Sequence, residues 1–478
     1  MAEETHSAQQ KALKINLDAR KFGTFAEIGA GQEVARWFFH VGKAAGTVAK
    51  SISAYDMVIS DSIYGRAGHY VSRERLEAML EHEFSRLETH FAETRAKDTA
   101  LFAFADTSAT HTHSQNQSGN SWLGIRFQTE PGGPPSEIII HAAMLDPVTV
   151  SQQEALGLVG VNLVYGAFYY SADPNHLIGS LMDDLSRRRI EVDMIKFSGP
   201  AFAAVDNRLM SLQLVEQGLT NAAMFTAGGE VVQPAEVLYK KPVLIERGSF
   251  RPVTNVTLEM LDRAVRQLQQ DSAPAPHDSD LVAIMEMTLN NLMSERVIDH
   301  QDFLARVDIL GALGKMVMVS NYTRFDSVSS YLRQYTQNWI GMAMGVPTLR
   351  EIFEEKYYSD LAGGILEALG SLFNGRVKLL VYPTRESGTG GTDGLISADK
   401  LAVKPELQHL YNYLAGNGFI ESIRDFHPGE LEVTPPDVLG MIQSGDPAWE
   451  KLVPPQAADV IRQKGLFGYR GQTQAETQ

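Results

Sequence analysis

Two glycines, Gly29 and Gly31, separate the short apolar run Thr24-Phe25-Ala26-Glu27-Ile28 from Gln32–Phe39, which resumes at helical spacing. A strand–glycine–helix order lets backbone come close to a ligand, and the helix start offers free N–H groups and partial positive charge. The chemistry this suits is the holding of a phosphate or nucleotide, with Gly29 and Gly31 as the cofactor-binding positions. An ordinary tight βα turn has the same composition. The dinucleotide fingerprint lacks its third glycine here, and Glu33 stands near the helix start.

A second cluster follows Leu101–Ala105, where Asp106, Thr107, Thr110, His111, His113, Gln115 and Asn116 lie close in sequence. Ligands of open α/β sheets sit beyond the carboxyl ends of strands, which makes Asp106 and His111 the acid/base candidates. His111 and His113, two apart, would share one face of a strand and could chelate a metal with Asp106, His141 or Asp146 as a further ligand. A polar loop explains the same residues, so no metal ligand is assigned. His40-Val41-Gly42-Lys43 can grip a phosphate or simply end a helix at Gly42. In the second half, Ser320-Asn321-Tyr322-Thr323-Arg324 directly follows an apolar run, so Ser320 and Arg324 suit an oxyanion or phosphate. N-capping by Ser320 or Asn321 is the competing account. Thr348 and Glu351 read as a capping box, which leaves Arg350 to reach a ligand. Arg324 and Arg350, on consecutive βα loops, would frame an anion crevice.

These residues need strands and helices in alternation, and the patterning supplies them. Asp56–Ser60, Leu101–Ala105, Trp122–Gln128, Glu137–His141, Glu191–Phe197, Ala222–Phe225, Val243–Ile245, Lys315–Ser320, Ile340–Met344 and Val377–Tyr382 read as strands. Ser72–Lys97, with Ser72 as N-cap, Ser151–Tyr169, Leu177–Arg188, Asn207–Gln217, Asp326–Tyr335, Thr348–Tyr357 and Leu361–Phe373 read as helices. The turn Pro131–Pro135 between two strands predicts a hairpin, hence a mixed sheet. The expected fold class is α/β, a Rossmann-like mixed-sheet architecture in two domains. The expected division is a flexible N-terminus at 1–15, an α/β domain at 16–268, a Ser/Pro-containing linker at 269–280, a second α/β domain at 281–469 and a flexible tail at 470–478.

Bulk properties narrow the classes. A chain of 478 residues exceeds one compact core, and 44% hydrophobic residues suit large buried ones. A formal charge of -16 argues against nucleic acid as partner. Arg187-Arg188-Arg189, the only dense basic run, suits a solvated helix end. The absence of cysteine excludes disulfides, thiolate nucleophiles and thiolate metal sites. A polar, acidic N-terminus and no apolar run of spanning length predict a cytoplasmic protein without a membrane partner.

The runs Phe25–Glu33, Val205-Asp206-Asn207-Arg208-Leu209-Met210 and Pro347–Lys356 resemble a bacterial α/β protein family labelled nicotinamide or nicotinate mononucleotide adenylyltransferase. The resemblance covers most of the chain and implies nucleotidyl transfer; the nearest counterpart of that activity's His-x-Gly-His is His40-Val41-Gly42-Lys43. Glu27–Gly31 also looks like the first motif of S-adenosylmethionine-dependent methyltransferases, which place an acidic residue before the glycines. The leading expectation is an enzyme acting on a nucleotide or phosphorylated metabolite in an interdomain crevice, with a nucleotide and a divalent metal as open cofactors. The alternatives are a non-catalytic assembly or regulatory protein, as a homo-oligomer, and a methyltransferase.

Overall fold

Nine residues from Lys21 to Gly29 make the first strand, β1, and all but the last are buried, as a strand covered on both faces must be. The computed structural model describes residues 6–29, 32–110, 119–271, 281–294, 297–385, 394–427, 431 and 433–470. The chain forms two compact units, Met1–Ala223 and Met224–Gln478. No helix among the described residues is long and apolar enough to cross a membrane.

The first unit carries helices α1 (Ala8–Leu17), α2 (Glu33–His40), α3 (Met57–Tyr64), α4 (Arg73–Phe91), α5 (Thr149–Tyr169), α6 (Pro174–Ser180) and α7 (Asn207–Glu216). Its sheet adds β2 (Val48–Ile52), β3 (Ala100–Ala109), β4 (Gly119–Phe127), β5 (Ser136–Met144) and β6 (Ile190–Ser198), in the order β2-β1-β3-β4-β5-β6. Strands β2, β1 and β3 are parallel, and β3 to β6 run as an antiparallel meander. One face packs Phe25, Phe102, Phe104, Leu123 and Ile125 against Val34 and Phe38 of α2 and the apolar side of α5. The other packs Phe22, Leu101 and Ala103 against Phe84 and Leu87 of α4. Helix α5 lies so close to α2 that a Cβ at Gly160 would sit 2.3 Å from Val34 Cγ2, and one at Gly157 would sit 2.9 Å from Glu33 Cβ.

The second unit is built on an eight-stranded sheet of β7 (Ala222–Phe225), β8 (Val231–Val232), β9 (Val243–Arg247), β10 (Val282–Thr288), β13 (Met316–Ser320), β14 (Ile340–Gly345), β15 (Val377–Tyr382) and β18 (Ile420–Ser422). Two small ladders, β11 (Met293–Ser294) with β12 (Val297–Ile298) and β16 (Thr384–Arg385) with β17 (Leu395–Ile396), lie outside it. The sheet order is β18-β15-β14-β9-β10-β13-β7-β8. Helix α8 (Pro234–Leu238) leads into β9, and from there the chain steps outward through α9 (Asn255–Asp271), β10, α10 (Leu289–Leu292) and α11 (His300–Ala312) to β13. It returns through α12 (Phe325–Arg333) to lay β14 on the other side of β9, then continues outward with β15 and β18. The six strands from β18 to β13 are parallel, and the order reverses between β9 and β14.

The Rossmann-like mixed α/β class is therefore observed, with the hairpin of β4 and β5 where the Gly/Pro turn predicts it. Five expectations are corrected. Asp56–Ser60 is no strand: Asp56 caps α3 by accepting from the Ile59 N–H, and Met57, Val58 and Ile59 stay exposed. Residues 8–17 are helical, with a capping box at Ser7, instead of flexible. The predicted helix 177–188 is the shorter α6, and α13 (Val346–Ile352) begins at Gly345 without a side-chain cap, so Thr348 is inside the helix. The expected boundary at 269–280 falls within the second unit, because β9 and β10 on either side of it pair in one sheet.

Candidate functional site

Gly29 ends β1 with φ of +96°, and a Cβ there would lie 1.9 Å from the Ser108 carbonyl oxygen. Only glycine fits that approach. Helix α2 begins at Glu33, yet its N-cap, Gln32, makes no side-chain capping bond. The cap comes from across the turn: Glu27 accepts from the Val34 N–H at 2.9 Å and from the Ala35 N–H at 3.0 Å. The helix N–H groups that a phosphate would use are thus engaged by the chain's own carboxylate.

Directly opposite Glu27 in the parallel pairing of β1 and β3 stands Asp106. Both carboxyls are buried, Asp106 completely. Neither Asp106 oxygen has a hydrogen-bond partner by distance and angle among the described residues, and the Ile28 backbone N–H is the weakest influence on the carboxyl, favouring its charged form. Burial and then the Glu27 charge push the Asp106 carboxyl far above the ordinary range. Burial also raises Glu27, to about 7, against the pull of its two backbone hydrogen bonds. Two acids side by side in a dry site cannot both ionise cheaply. Two residues further along the same edge, Ser108 Oγ and Ser121 Oγ lie 2.5 Å apart.

The opposite face of this sheet carries a pair the sequence did not reveal. His141 Nδ1 lies 2.6 Å from Asp193 Oδ1, both buried, beneath Trp122, whose ring centroid is 4.9 Å from the imidazole. A bulge in β6 at this point turns Asp193 toward His141. His141 pairs in register with Trp122 and Trp122 with Thr107, so His141 and Asp106 point to opposite faces. Asp146 binds Arg189 Nε at 2.9 Å. The structure therefore does not bring Asp106, His141 and Asp146 together as metal ligands, and no group of three such side chains exists among the described residues. Gly31, His111 and His113 lie outside the described residues. His40 is exposed in the last turn of α2, where Asn16 Nδ2 donates to the Phe38 and Gly42 carbonyls at 2.8 Å each. That is a helix end satisfied by its own neighbours.

In the second unit, the carboxyl ends of β9, β10 and β13 are tied by one ion pair. Arg247 donates through Nε and Nη2 to both oxygens of the buried Glu286, each at 2.9 Å. Ser320 Oγ donates to Glu286 Oε1 at 2.6 Å, and Arg247 Nη1 to the Thr323 carbonyl at 3.2 Å. Ser320 is thus engaged inside this network. The loop 248–254 then leads into α9 and is pinned: Gly248 N–H donates to the Glu286 carbonyl at 3.0 Å, and Arg306 Nη1 to the Ser249 carbonyl at 2.9 Å. Arg251 Nε bonds Asp302 at 2.7 Å. At the start of α9, the Asn255 N–H donates to the Leu452 carbonyl at 3.0 Å and its Nδ2 to the Lys451 carbonyl at 2.9 Å. Glu246, on the other face of β9, is buried with Oε2 unpartnered among the described residues, and burial pushes it well up.

Arg324 bonds both Asp360 oxygens, at 3.0 and 2.9 Å, and Asp326 at 3.2 Å. Arg350 is exposed in the last turn of α13. Strands β10 and β9 intervene between β13 and β14, so the loops carrying these arginines start three strand spacings apart, about 14 Å. They are consecutive in sequence but not neighbours in the sheet. The loop 248–254 is not among the residues that the sequence singles out. Its signal was present, an apolar run, then Gly248, then Thr254 before a helical pattern.

No family model matches this chain, and no curated protein matches it. Among solved structures, competence/damage inducible protein CihA from Agrobacterium tumefaciens is similar at 14% identity over 34% of this chain and 97% of that one, with a TM-score of 0.25. A competence-damaged protein (CinA) superfamily protein from Enterobacter cloacae matches at 12% identity over 35% and 95%, with a TM-score of 0.26. Plasmodium falciparum nicotinic acid mononucleotide adenylyltransferase complexed with APC matches at 10% identity over 48% and 98%, with a TM-score of 0.27. Likeness at that level carries no argument about activity.

Proposed function

We propose that the protein is an enzyme acting on a nucleotide or another phosphorylated metabolite, bound in its second unit where β9 and β14 diverge. The observation that carries this reading is the reversal of strand order between those strands. The loops that follow such a pair leave in opposite directions and open a crevice at the carboxyl edge, where doubly wound sheets take their ligands. Loop 248–254, held by Arg306 and Glu286, is a pre-set wall for it. Nucleotidyl transfer is the reaction class that the sequence resemblance implies. A calorimetric and thermal-shift panel of nucleotides and phosphorylated metabolites tests the reading on the whole chain. Binding by at least one, abolished by Ser249→Trp, is the expected result; a panel without a single binder removes the proposal.

A non-catalytic assembly role has one observation behind it: Tyr55, Met57, Val58 and Ile59 form an exposed apolar run. Sedimentation that stays monomeric across concentration would exclude it. The methyltransferase reading draws no support, since Glu27 is bonded to the α2 backbone.

A further inference from the structure

We propose that Glu27 and Asp106 hold an oxygen-liganded divalent cation, Mg2+ or Mn2+, at the carboxyl edge of β1 and β3 in the first unit. The site is separate from the nucleotide site proposed in the second unit. Three observations converge on it. The two side chains stand opposite each other in register on adjacent parallel strands, hence on one face. Asp106 is fully buried, and both its oxygens are without a partner among the described residues. Among the described residues, no lysine or arginine contributes to the electrostatic surroundings of either carboxyl, whose charged neighbours there are each other and Glu33.

A buried carboxyl with nothing to bond is costly, and a folded chain normally satisfies or removes it. Leucine at 106 would avoid the cost. A hard cation resolves every anomaly together, because it supplies the missing charge, bonds the orphaned Asp106 oxygens and uses the lone pairs that Glu27 keeps beyond its two N–H bonds. Mg2+ is commonly held by one or two carboxylates, with water or ligand oxygens completing its shell. The Ser108 and Ser121 hydroxyls, next along the same face and bonded to each other, are the nearest further oxygens on it. Two carboxylates with hydroxyls and no nitrogen or sulfur select a hard ion over zinc or copper.

The test is Mn2+ binding to the full chain, followed by electron paramagnetic resonance and competed with Mg2+. One site per chain is expected, with affinity lowered at least tenfold by Asp106→Asn and by Glu27→Gln, and unchanged by Glu93→Gln on the exposed surface. Binding that survives both site variants, or no binding at millimolar Mn2+, overturns the proposal. Should D106N fail to fold, E27Q read against the native chain decides it by the same criterion. A protein that ignores metal while D106N raises its melting temperature would show an acid pair sharing one proton and no cation, which also overturns it.

Discussion

Both units bury charged groups at the carboxyl ends of central parallel strands, and they do so in opposite ways. In the second, Glu286 meets Arg247 through two parallel hydrogen bonds and takes a third from Ser320. In the first, Glu27 faces another acid, Asp106, which has no hydrogen-bond partner among the described residues. The arginine pair is closed on itself and fixes three strands in place. The acid pair is open, with bonding capacity left over and a free-energy cost that packing elsewhere must offset. Buried polar groups that are fully satisfied rigidify a fold, whereas those left unsatisfied mark where something else is bound or moved. By that criterion the second unit's ion pair is scaffold, and the first unit's acids are where the proposed cation would sit.

The largest effect expected is on the closed pair. Glu286→Ala leaves the Arg247 guanidinium largely buried without its carboxylate and should cost about 3–5 kcal/mol, read by chemical denaturation of the second unit's transition. A loss under 1 kcal/mol would mean that the pair is not structural. The open pair should respond with the opposite sign. In EDTA, Asp106→Asn is expected to stabilise the first unit by about 1 kcal/mol, since it removes one of two facing acids; destabilisation would show that the pair is already satisfied.

The pH dependence sharpens the same contrast. Glu27 titrates at about 7 when folded, above its ordinary value of 4.5, with burial as the main cause. Between those values the folded chain keeps a proton that the unfolded chain releases. Metal-free stability of the first unit should therefore fall as pH rises from about 4.5 to about 7, and D106N should flatten that slope. A stability that rises through this window would contradict the acid pair. The smallest effects belong to the surface. Arg324→Ala and Arg350→Ala should each cost under about 1 kcal/mol and change nucleotide affinity less than about threefold. A tenfold loss in both would restore the two-arginine crevice expected from the sequence.

What the sequence made legible was local. Leu101–Ala105 and Val377–Tyr382 declare buried strands by composition alone, and the glycine turn after β1 is visible in its spelling. The edge strand β2, Val-Ala-Lys-Ser-Ile, has too little apolar character to announce itself. Asp56–Ser60 has the composition of a strand, but no neighbour pairs with it, and the Asp56 cap decides for a helix. The division of the chain is a matter of which strands pair across long separations, so the Ser- and Pro-containing stretch near 269–280 misled. Asp106 was picked out for its place after a strand, but its meaning depends on facing Glu27, which is a fact of register. Arg324 and Arg350 show the converse, since adjacency in sequence did not survive the sheet order.

The glycines of α5 give the open site a mechanical character. Gly157 and Gly160 let α5 press directly on Glu33 and Val34, at the end of α2 whose amides grip Glu27. Any side chain added at Gly160 has nowhere to go but into Val34, so a change on the far side of α2 is transmitted as displacement to the carboxylate. Helix α5 is a hard stop behind the start of α2, and its backbone, more than any side chain there, sets how far the carboxyl edge of β1 can yield.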